Sequence, residues 1–358
     1  MRVGLLVNPV AGLGGRVGLK GTDGAVAEAL RRGAVARAGD RAVEFLRALP
    51  ENVEIATCAG AMGERACEAA GASAIVAHVP AEPTSANDTR EAAAALAELP
   101  VDVLAFVGGD GTAQDVLAAV GERVPALGVP AGVKMHSACF APTPREAAAI
   151  LAEWDGRTEL RDVLDADEGA IRSGRMEVRL AGRLRVPASP RVPPGKSPAP
   201  PGDEEVAHAI VHALSPGVTW ILGPGGTLHD AKRLMGLDAT LLGLDAVRDG
   251  RQVAKDASER ELVALPDPLG LVVAPIGGQG FVIGRGNAPL SPAVLARIPP
   301  DRLVVAAGEE KLRGLPCLRV DTQDPALDAR FPAWIRVLVA PGRTKLVRVE
   351  GGNEKGQE

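Results

Sequence analysis

A glycine-rich run with one acid in its middle is the part of this sequence best suited to chemistry. An apolar stretch at 103–107 leads into Gly108, Gly109, Asp110, Gly111 and Thr112, and a helical pattern follows at 113–120. Glycines permit positive φ and let a phosphate approach the backbone, and the N-terminus of a helix attracts an anion. An acid would repel that phosphate, so we expect Asp110 to accept a proton from an attacking hydroxyl or to help hold Mg²⁺. A tight turn in which Asp110 supports the helix cap is the alternative.

A second glycine-rich loop follows the first predicted strand, at 3–7, and its candidate nucleotide contacts are Asn8, Gly12, Gly14 and Gly15. The Asn8 amide, at the carboxyl end of the strand, could reach a phosphate or a neighbouring loop. The nearby run at 20–22 is not a Walker A motif, because it lacks Gly-Lys-Ser/Thr in sequence. A glycine-rich surface turn is the alternative.

Strands and helices must alternate to position these loops. Apolar runs at 3–7, 53–57, 74–79, 103–107 and 126–129 are strand candidates, with helical patterns at 24–49 and 91–99. This alternation predicts a parallel sheet in a Rossmann-like domain, where ligands bind at the carboxyl ends of the strands.

Two further segments follow strands on that ligand side. Thr84, Ser85 and Asp88 precede an alanine-rich helix. A helix cap accounts for them fully, and a nucleotide contact is the functional hypothesis. Lys134 could neutralise charge on a transferring phosphate, or it could be a surface lysine.

The second half begins differently and then alternates again. Segments 159–167 and 176–186 are predicted to be extended, and seven prolines between 187 and 201 indicate a loop or linker. A helix is predicted at 204–214 and strands at 218–222, 240–244, 271–274, 303–306, 318–321 and 335–339. We therefore predict an α/β protein with a nucleotide-binding domain at 1–155, a C-terminal domain at 156–350 and a disordered tail at 351–358.

The strand at 218–222 is followed by a second strand–glycine loop–helix pattern, which contains Gly225, Gly226 and Thr227 but no acid. Such a loop suits anion binding but not proton abstraction, so we expect a phosphate of the acceptor or of an allosteric nucleotide there. A turn needed only for helix–strand packing is the alternative. Arg285, between two glycines, is a further phosphate candidate because its guanidinium matches phosphate oxygens.

Composition excludes several classes of partner. The net charge of −5 and an aromatic content of 2% argue against nucleic acid. The four cysteines have no metal-ligand spacing and suit a reducing cytoplasm. His208 and His212 lack an apparent third ligand, so no metal site is predicted. The first apolar run is predicted to be a strand rather than a signal peptide, and no segment offers a membrane span. We expect a cytoplasmic protein.

Beyond these patterns, segments 7–24, 108–112, 128–137 and 276–280 together resemble the ATP-NAD kinase family, and within it the AcoX-like branch. The wider superfamily includes diacylglycerol and sphingosine kinases and, more distantly, phosphofructokinases. The resemblance implies a fold of NAD kinase type, ATP with Mg²⁺ as donor, and NAD as acceptor. It also implies that Asp110 deprotonates the 2′-hydroxyl of the adenosine ribose. We further expect a homo-oligomer.

The acceptor is open at this point. NAD kinases hold the dinucleotide with an Asn-Glu pair, whereas the nearest acidic stretch here, at 165–168, has no Asn. Asp167 and Glu168 could contact ribose hydroxyls or Mg²⁺, or could form a solvated strand end. One alternative is a lipid or sphingoid kinase, although no basic amphipathic helix is present. Another is a non-catalytic sensor, because the loop at 225–227 resembles sugar-phosphate loops of the ribose-phosphate isomerase and glucosamine-phosphate deaminase group.

Overall fold

The computed structural model describes residues 1–15, 17, 26–131, 135–166, 178–193 and 204–350. The chain divides into two compact units. The first holds residues 1–14 and 20–195, and the second holds residues 15–19 and 196–358.

The first unit contains a five-stranded sheet in the order β3-β2-β1-β4-β5. Its strands are β1 (Arg2–Val7), β2 (Glu54–Cys58), β3 (Ala74–His78), β4 (Val103–Gly108) and β5 (Ala126–Pro130), and all neighbours are parallel. β1 and β4 are buried almost throughout, which explains their uninterrupted apolar sequences. Because these two strands are adjacent, the loops that follow them begin side by side.

Among the residues that the structure describes, the α-helices of this unit are α1 (Val26–Arg31), α2 (Ala38–Ala48), α3 (Glu64–Ala70), α4 (Ala86–Ala97), α5 (Asp110–Val120) and α6 (Pro144–Ala152), with a short 3₁₀ helix at Gly60–Met62. The single helix predicted over 24–49 is wrong, because α1 and α2 are separate. Gly33 follows α1 with φ +81°, and Ala34 donates its N–H to the Ala29 carbonyl at 2.9 Å. A left-handed glycine after the last turn is a common helix stop.

A β-hairpin of β6 (Thr158–Ala166) and β7 (Val178–Pro187) completes the first unit. It packs against α5 and β5. The predicted domain boundary at 155 falls before the hairpin, whereas the compact unit continues to Gly195 because of this packing.

The second unit contains a mixed nine-stranded sheet in the order β10-β9-β8-β11-β13-β15-β16-β14-β12. The strands are β8 (Thr219–Leu222), β9 (Asp245–Arg248), β10 (Arg251–Ala254), β11 (Leu269–Val273), β12 (Phe281–Ile283), β13 (Leu303–Ala306), β14 (Leu318–Val320), β15 (Trp334–Ala340) and β16 (Arg343–Glu350). The predicted strand at 240–244 is wrong, because that segment is a loop ahead of β9.

The helices of the second unit are α7 (Glu204–Ala213), α8 (Gly226–Leu234), α9 (Glu259–Val263), α10 (Pro292–Leu295), α11 (Glu309–Arg313) and α12 (Pro325–Asp328), with a 3₁₀ helix at Pro300–Arg302. The strand–loop–helix pattern predicted around 218–235 is present as β8, its glycine-rich loop and α8. Overall, the α/β class with two alternating regions is confirmed.

The four cysteines are free and buried, as expected of small apolar residues. Burial raises the pKa of the Cys58 thiol to about 12 and that of Cys67 to about 11. In the described ranges, no helix combines the length and the hydropathy needed to cross a bilayer.

Candidate functional site

The loops that follow β1 and β4 are joined by a side-chain hydrogen bond. The Asn8 amide nitrogen donates to the Thr112 hydroxyl at 2.9 Å, and the Asn8 amide oxygen accepts the Val10 N–H at 3.2 Å. The Asn8 backbone N–H donates to the Val107 carbonyl at 3.0 Å. Asn8 thus connects two neighbouring loops, which was one of its two expected roles.

Close packing, rather than an unusual backbone, requires a glycine at the start of the second loop. A Cβ on Gly108 would lie 2.4 Å from the Cβ and hydroxyl of Thr112. Gly109 has φ −128° and ψ −164°, an extended backbone open to any residue, and Gly111 lies in the first turn of α5. The positive φ expected of the glycines in this loop is therefore wrong for Gly109 and Gly111. Gly12 in the first loop does have a positive φ, of +73°.

Asp110 is the first residue of α5 and is half-buried. Its carboxylate accepts two backbone N–H groups from the segment after β5: His136 donates to Oδ2 at 2.7 Å and Ser137 donates to Oδ1 at 2.9 Å. Two donors on two oxygens fix the plane of the carboxylate. Sequence reasoning identified the acid but not its donors, because a backbone N–H 26 or 27 residues away leaves no side-chain signature.

The segment 84–88 contains the cap of a helix. Ser85 and Asp88 make a capping box at the start of α4, and the second Asp88 oxygen accepts the Ala81 N–H at 2.8 Å. The Ser85 hydroxyl, followed by the backbone N–H groups of Ala81 and Ser85, lowers the pKa of Asp88 to about 2. The loop follows β3, three strand positions from β4, or roughly 14 Å at ~4.8 Å per strand. A nucleotide contact by Thr84, Ser85 or Asp88 stays a prediction.

Lys134, Asp167 and Glu168 lie outside the described residues. The nearest described acid on the hairpin is Asp165, which is exposed and accepts the Gln114 side-chain amide at 3.1 Å. Gln114 lies one turn after Asp110 in α5. The end of β6 is therefore attached to the helix that begins with Asp110.

In the second unit, the glycine-rich loop begins α8. Gly225 has φ +112° and donates its N–H to the Leu241 carbonyl at 2.8 Å. Gly226 and Thr227 form the first turn of the helix, and Thr227 is 9% exposed. Only glycine readily takes such a φ, so this position needs glycine for its backbone. Phosphate binding by Gly225, Gly226 and Thr227 stays a prediction.

The helix that follows this loop contributes to a buried ion pair that was not predicted from the sequence. The Lys232 ammonium is 2.9 Å from an Asp245 oxygen, and both side chains are fully buried. Lys232 also donates to the carbonyls of Thr240 at 3.1 Å and Gly243 at 3.0 Å. Burial raises the pKa of the Asp245 carboxyl, but the Lys232 charge and hydrogen bonds from Thr240, Asp256 and Lys232 outweigh burial and hold it below its usual value.

Arg285 is 3% exposed. Its guanidinium donates to the Gln279 side-chain oxygen at 3.2 Å and lies 4.4 Å from the centre of the Phe281 ring. These contacts give Arg285 a packing role inside the second unit. Its predicted contact with a phosphate is untested.

Mg²⁺ would enter such a site with the nucleotide. Proteins usually hold Mg²⁺ through one or two carboxylates together with substrate phosphates, and Asp110 would supply one carboxylate here. Within the described ranges, no group of three or more His, Cys, Asp or Glu side chains could form a metal cage. The donor set fits an ion carried largely by phosphates.

Comparison with protein families identifies the family of this chain. Residues 3–154 match the ATP-NAD kinase N-terminal domain, and residues 216–349 match the ATP-NAD kinase C-terminal domain. The chain belongs to the ATP-NAD kinase family, and it is a phosphotransferase of that family. Neither the curated proteins nor the solved structures contained a match.

Proposed function

We propose that this protein transfers the γ-phosphoryl group of ATP to the 2′-hydroxyl of the adenosine ribose of NAD, giving NADP, with Asp110 as general base. Family membership supports the reaction class. The observation that carries the residue assignment is the Asp110 carboxylate, oriented by two backbone N–H groups at the carboxyl end of β4.

Proton abstraction is compatible with those two hydrogen bonds. His136 and Ser137 each donate to one of the Asp110 oxygens, and a carboxylate oxygen can accept more than one hydrogen bond. In the reaction, the hydroxyl proton passes to Asp110 while the hydroxyl oxygen bonds to the γ-phosphorus and the bond to ADP breaks. An oriented acceptor avoids reorganisation during this step.

ATP phosphates would lie against the loops after β1 and β4. The supporting features are the N-terminus of α5 and the glycines of both loops, Gly12, Gly14, Gly15, Gly108, Gly109 and Gly111. Mg²⁺ bound to the phosphates would neutralise part of their charge, and Lys134 is proposed to assist.

On the acceptor side, Asp167 and Glu168 are the proposed partners of the ribose hydroxyls. The loop at 225–227 and Arg285 are proposed to bind a second phosphate. A homo-oligomer is the proposed assembly, without nucleic acid or membrane as a partner.

The test is Asp110→Asn, assayed with labelled ATP and NAD, with NADH and other hydroxyl acceptors in parallel. The expected loss of rate is on the order of 10² to 10⁴, with ATP binding retained. Asp115→Asn is the matched control, because Asp115 lies in the same helix and pairs with Arg90 at 2.7 Å. It should keep activity.

Retention of more than half of the activity by Asp110→Asn would show that Asp110 is not the base. A wild-type protein that binds ATP and NAD but forms no product would instead favour the sensor alternative. Transfer to sphingoid or diacylglycerol acceptors, without transfer to NAD, would favour a lipid kinase.

A further inference from the structure

One buried serine contacts both the candidate base and the hairpin. Ser137 is 2% exposed, and its N–H donates to Asp110 Oδ1 at 2.9 Å. Its hydroxyl accepts the Leu164 N–H at 2.9 Å and donates to the Leu164 carbonyl at 3.5 Å. A single residue therefore connects the Asp110 carboxylate to the end of β6.

The hairpin also contacts the helix that begins with Asp110. The Gln114 side chain donates to Asp165 at 3.1 Å. One turn further along α5, Leu117 packs closely against Gly182 of β7. A Cβ on Gly182 would lie 2.8 Å from a methyl carbon of Leu117. These two contacts hold the hairpin against α5 on both of its strands.

Ser137 and Ala138 form hydrogen bonds with backbone groups of β6. β6 pairs with β7 on one side, and the register shifts between Val163 and Leu164. On the other side, Ala138 donates to the Asp162 carbonyl at 2.9 Å, and the Ser137 hydroxyl bonds Leu164. The Ser137 hydroxyl thus bonds the backbone N–H and carbonyl of Leu164, next to the irregularity in the β6–β7 pairing.

We propose that Ser137 is a positioning residue for phosphoryl transfer, which sets the orientation of Asp110 and the location of the end of β6 together. This proposal rests on the proposed function, since Asp110 is the base. The Ser137 N–H holds the Asp110 carboxylate and the Ser137 hydroxyl holds Leu164, so loss of the hydroxyl would let the segment that orients the base shift. A displacement of about 1 Å can reduce a rate by roughly 10²-fold.

Ser137→Ala removes the hydroxyl and leaves the backbone N–H. We expect kcat to fall by about 10- to 100-fold, while KM for ATP and KM for NAD each change less than about twofold. Ser137→Thr keeps the hydroxyl and should recover most of the activity. Combined with Asp110→Asn, Ser137→Ala should cost less than a further factor of about two, because Ser137 acts through Asp110.

Thr143→Ala is the matched control. The Thr143 hydroxyl also accepts a backbone N–H, that of Glu146 at 3.1 Å, and caps α6 in the same segment of chain. Thr143→Ala should lower Tm without lowering kcat of the folded enzyme. Wild-type kcat in folded Ser137→Ala, or an equal loss in both variants, would overturn the positioning role.

Hydrogen exchange tests the same link without any activity. Ser137→Ala should speed amide exchange in peptides covering 135–138 and 162–166, and Thr143→Ala should leave those peptides unchanged. Unchanged exchange in Ser137→Ala would refute the proposal even if Ser137→Thr fails to fold. A wild-type protein that makes no NADP would defeat the proposed function alone, because the exchange result does not depend on turnover.

Discussion

Replacing Lys232 by Met should destabilise the second unit strongly and reverse the pH dependence of its stability. Lys232 and Asp245 are both fully buried, so the substitution leaves a carboxylate without its cation in the interior. Breaking a buried pair from one side typically costs about 3–5 kcal/mol. For a domain of this size, that corresponds to a fall in Tm of roughly 6–20 °C, at about 2–4 °C per kcal/mol.

The sign of the pH effect separates this mechanism from lost packing. In the wild type, the pKa of Asp245 is held below its usual value, so its stabilising contribution is present above the unfolded pKa of about 3.9 and is lost as pH falls through the lower folded pKa. Without Lys232, burial raises the pKa of Asp245 above the unfolded value. The variant should therefore recover stability relative to wild type as pH falls from 7 to 5.

Urea unfolding at pH 7 and pH 5 measures both effects. Lys255→Met is the matched control, since Lys255 pairs with Asp238 on the surface with half of its side chain exposed. That substitution should cost less than about 1 kcal/mol. The reasoning would be refuted if Lys232→Met lowered the free energy of unfolding by less than about 1 kcal/mol at pH 7, or if that loss were larger at pH 5 than at pH 7.

Two further outcomes test the glycine-rich loops. Gly108→Ala should destabilise the first unit by about 1–3 kcal/mol and raise KM for ATP, because the added Cβ would lie 2.4 Å from Thr112. In the control Gly226→Ala the added Cβ meets no atom within 4 Å, so the free energy of unfolding should change by less than about 1 kcal/mol. Equal urea midpoints for the two variants would contradict the packing argument. Thr227→Val should weaken binding of a phosphate-bearing ligand to a folded protein in calorimetric titrations with NAD and ATP, and unchanged affinity for both would exclude a phosphate site at that hydroxyl.

The parallel sheet of the first unit was predictable because its central strands, β1 and β4, are buried on both faces. Runs such as 103–107 are apolar without interruption, and only a central strand of a covered sheet favours that pattern. The loop that carries Asp110 was also predictable, because the strand before it, β4, and the helix after it, α5, directly adjoin it in sequence.

Errors arose where distant residues decide the local structure. The apolar segment at 240–244 was predicted to be a strand, yet Lys232 binds the carbonyls of Thr240 and Gly243 and holds it as a loop. β16 was missed because its exposed side chains give it a polar sequence. The donors to Asp110 were missed because they are backbone groups, which any residue type provides.

The two strand–loop–helix patterns look alike in sequence but cannot share one chemistry. Aligned at their threonines, Gly225 occupies the position of Asp110. That glycine has φ +112°, a backbone conformation that an aspartate rarely adopts, and its N–H is bonded to the Leu241 carbonyl. α5 begins at Asp110, whereas α8 begins one position later, at Gly226, so the threonines stand at different positions in their first turns. The second loop therefore presents backbone, and no carboxylate, at its helix start, and the proposed base, Asp110, lies in the first unit.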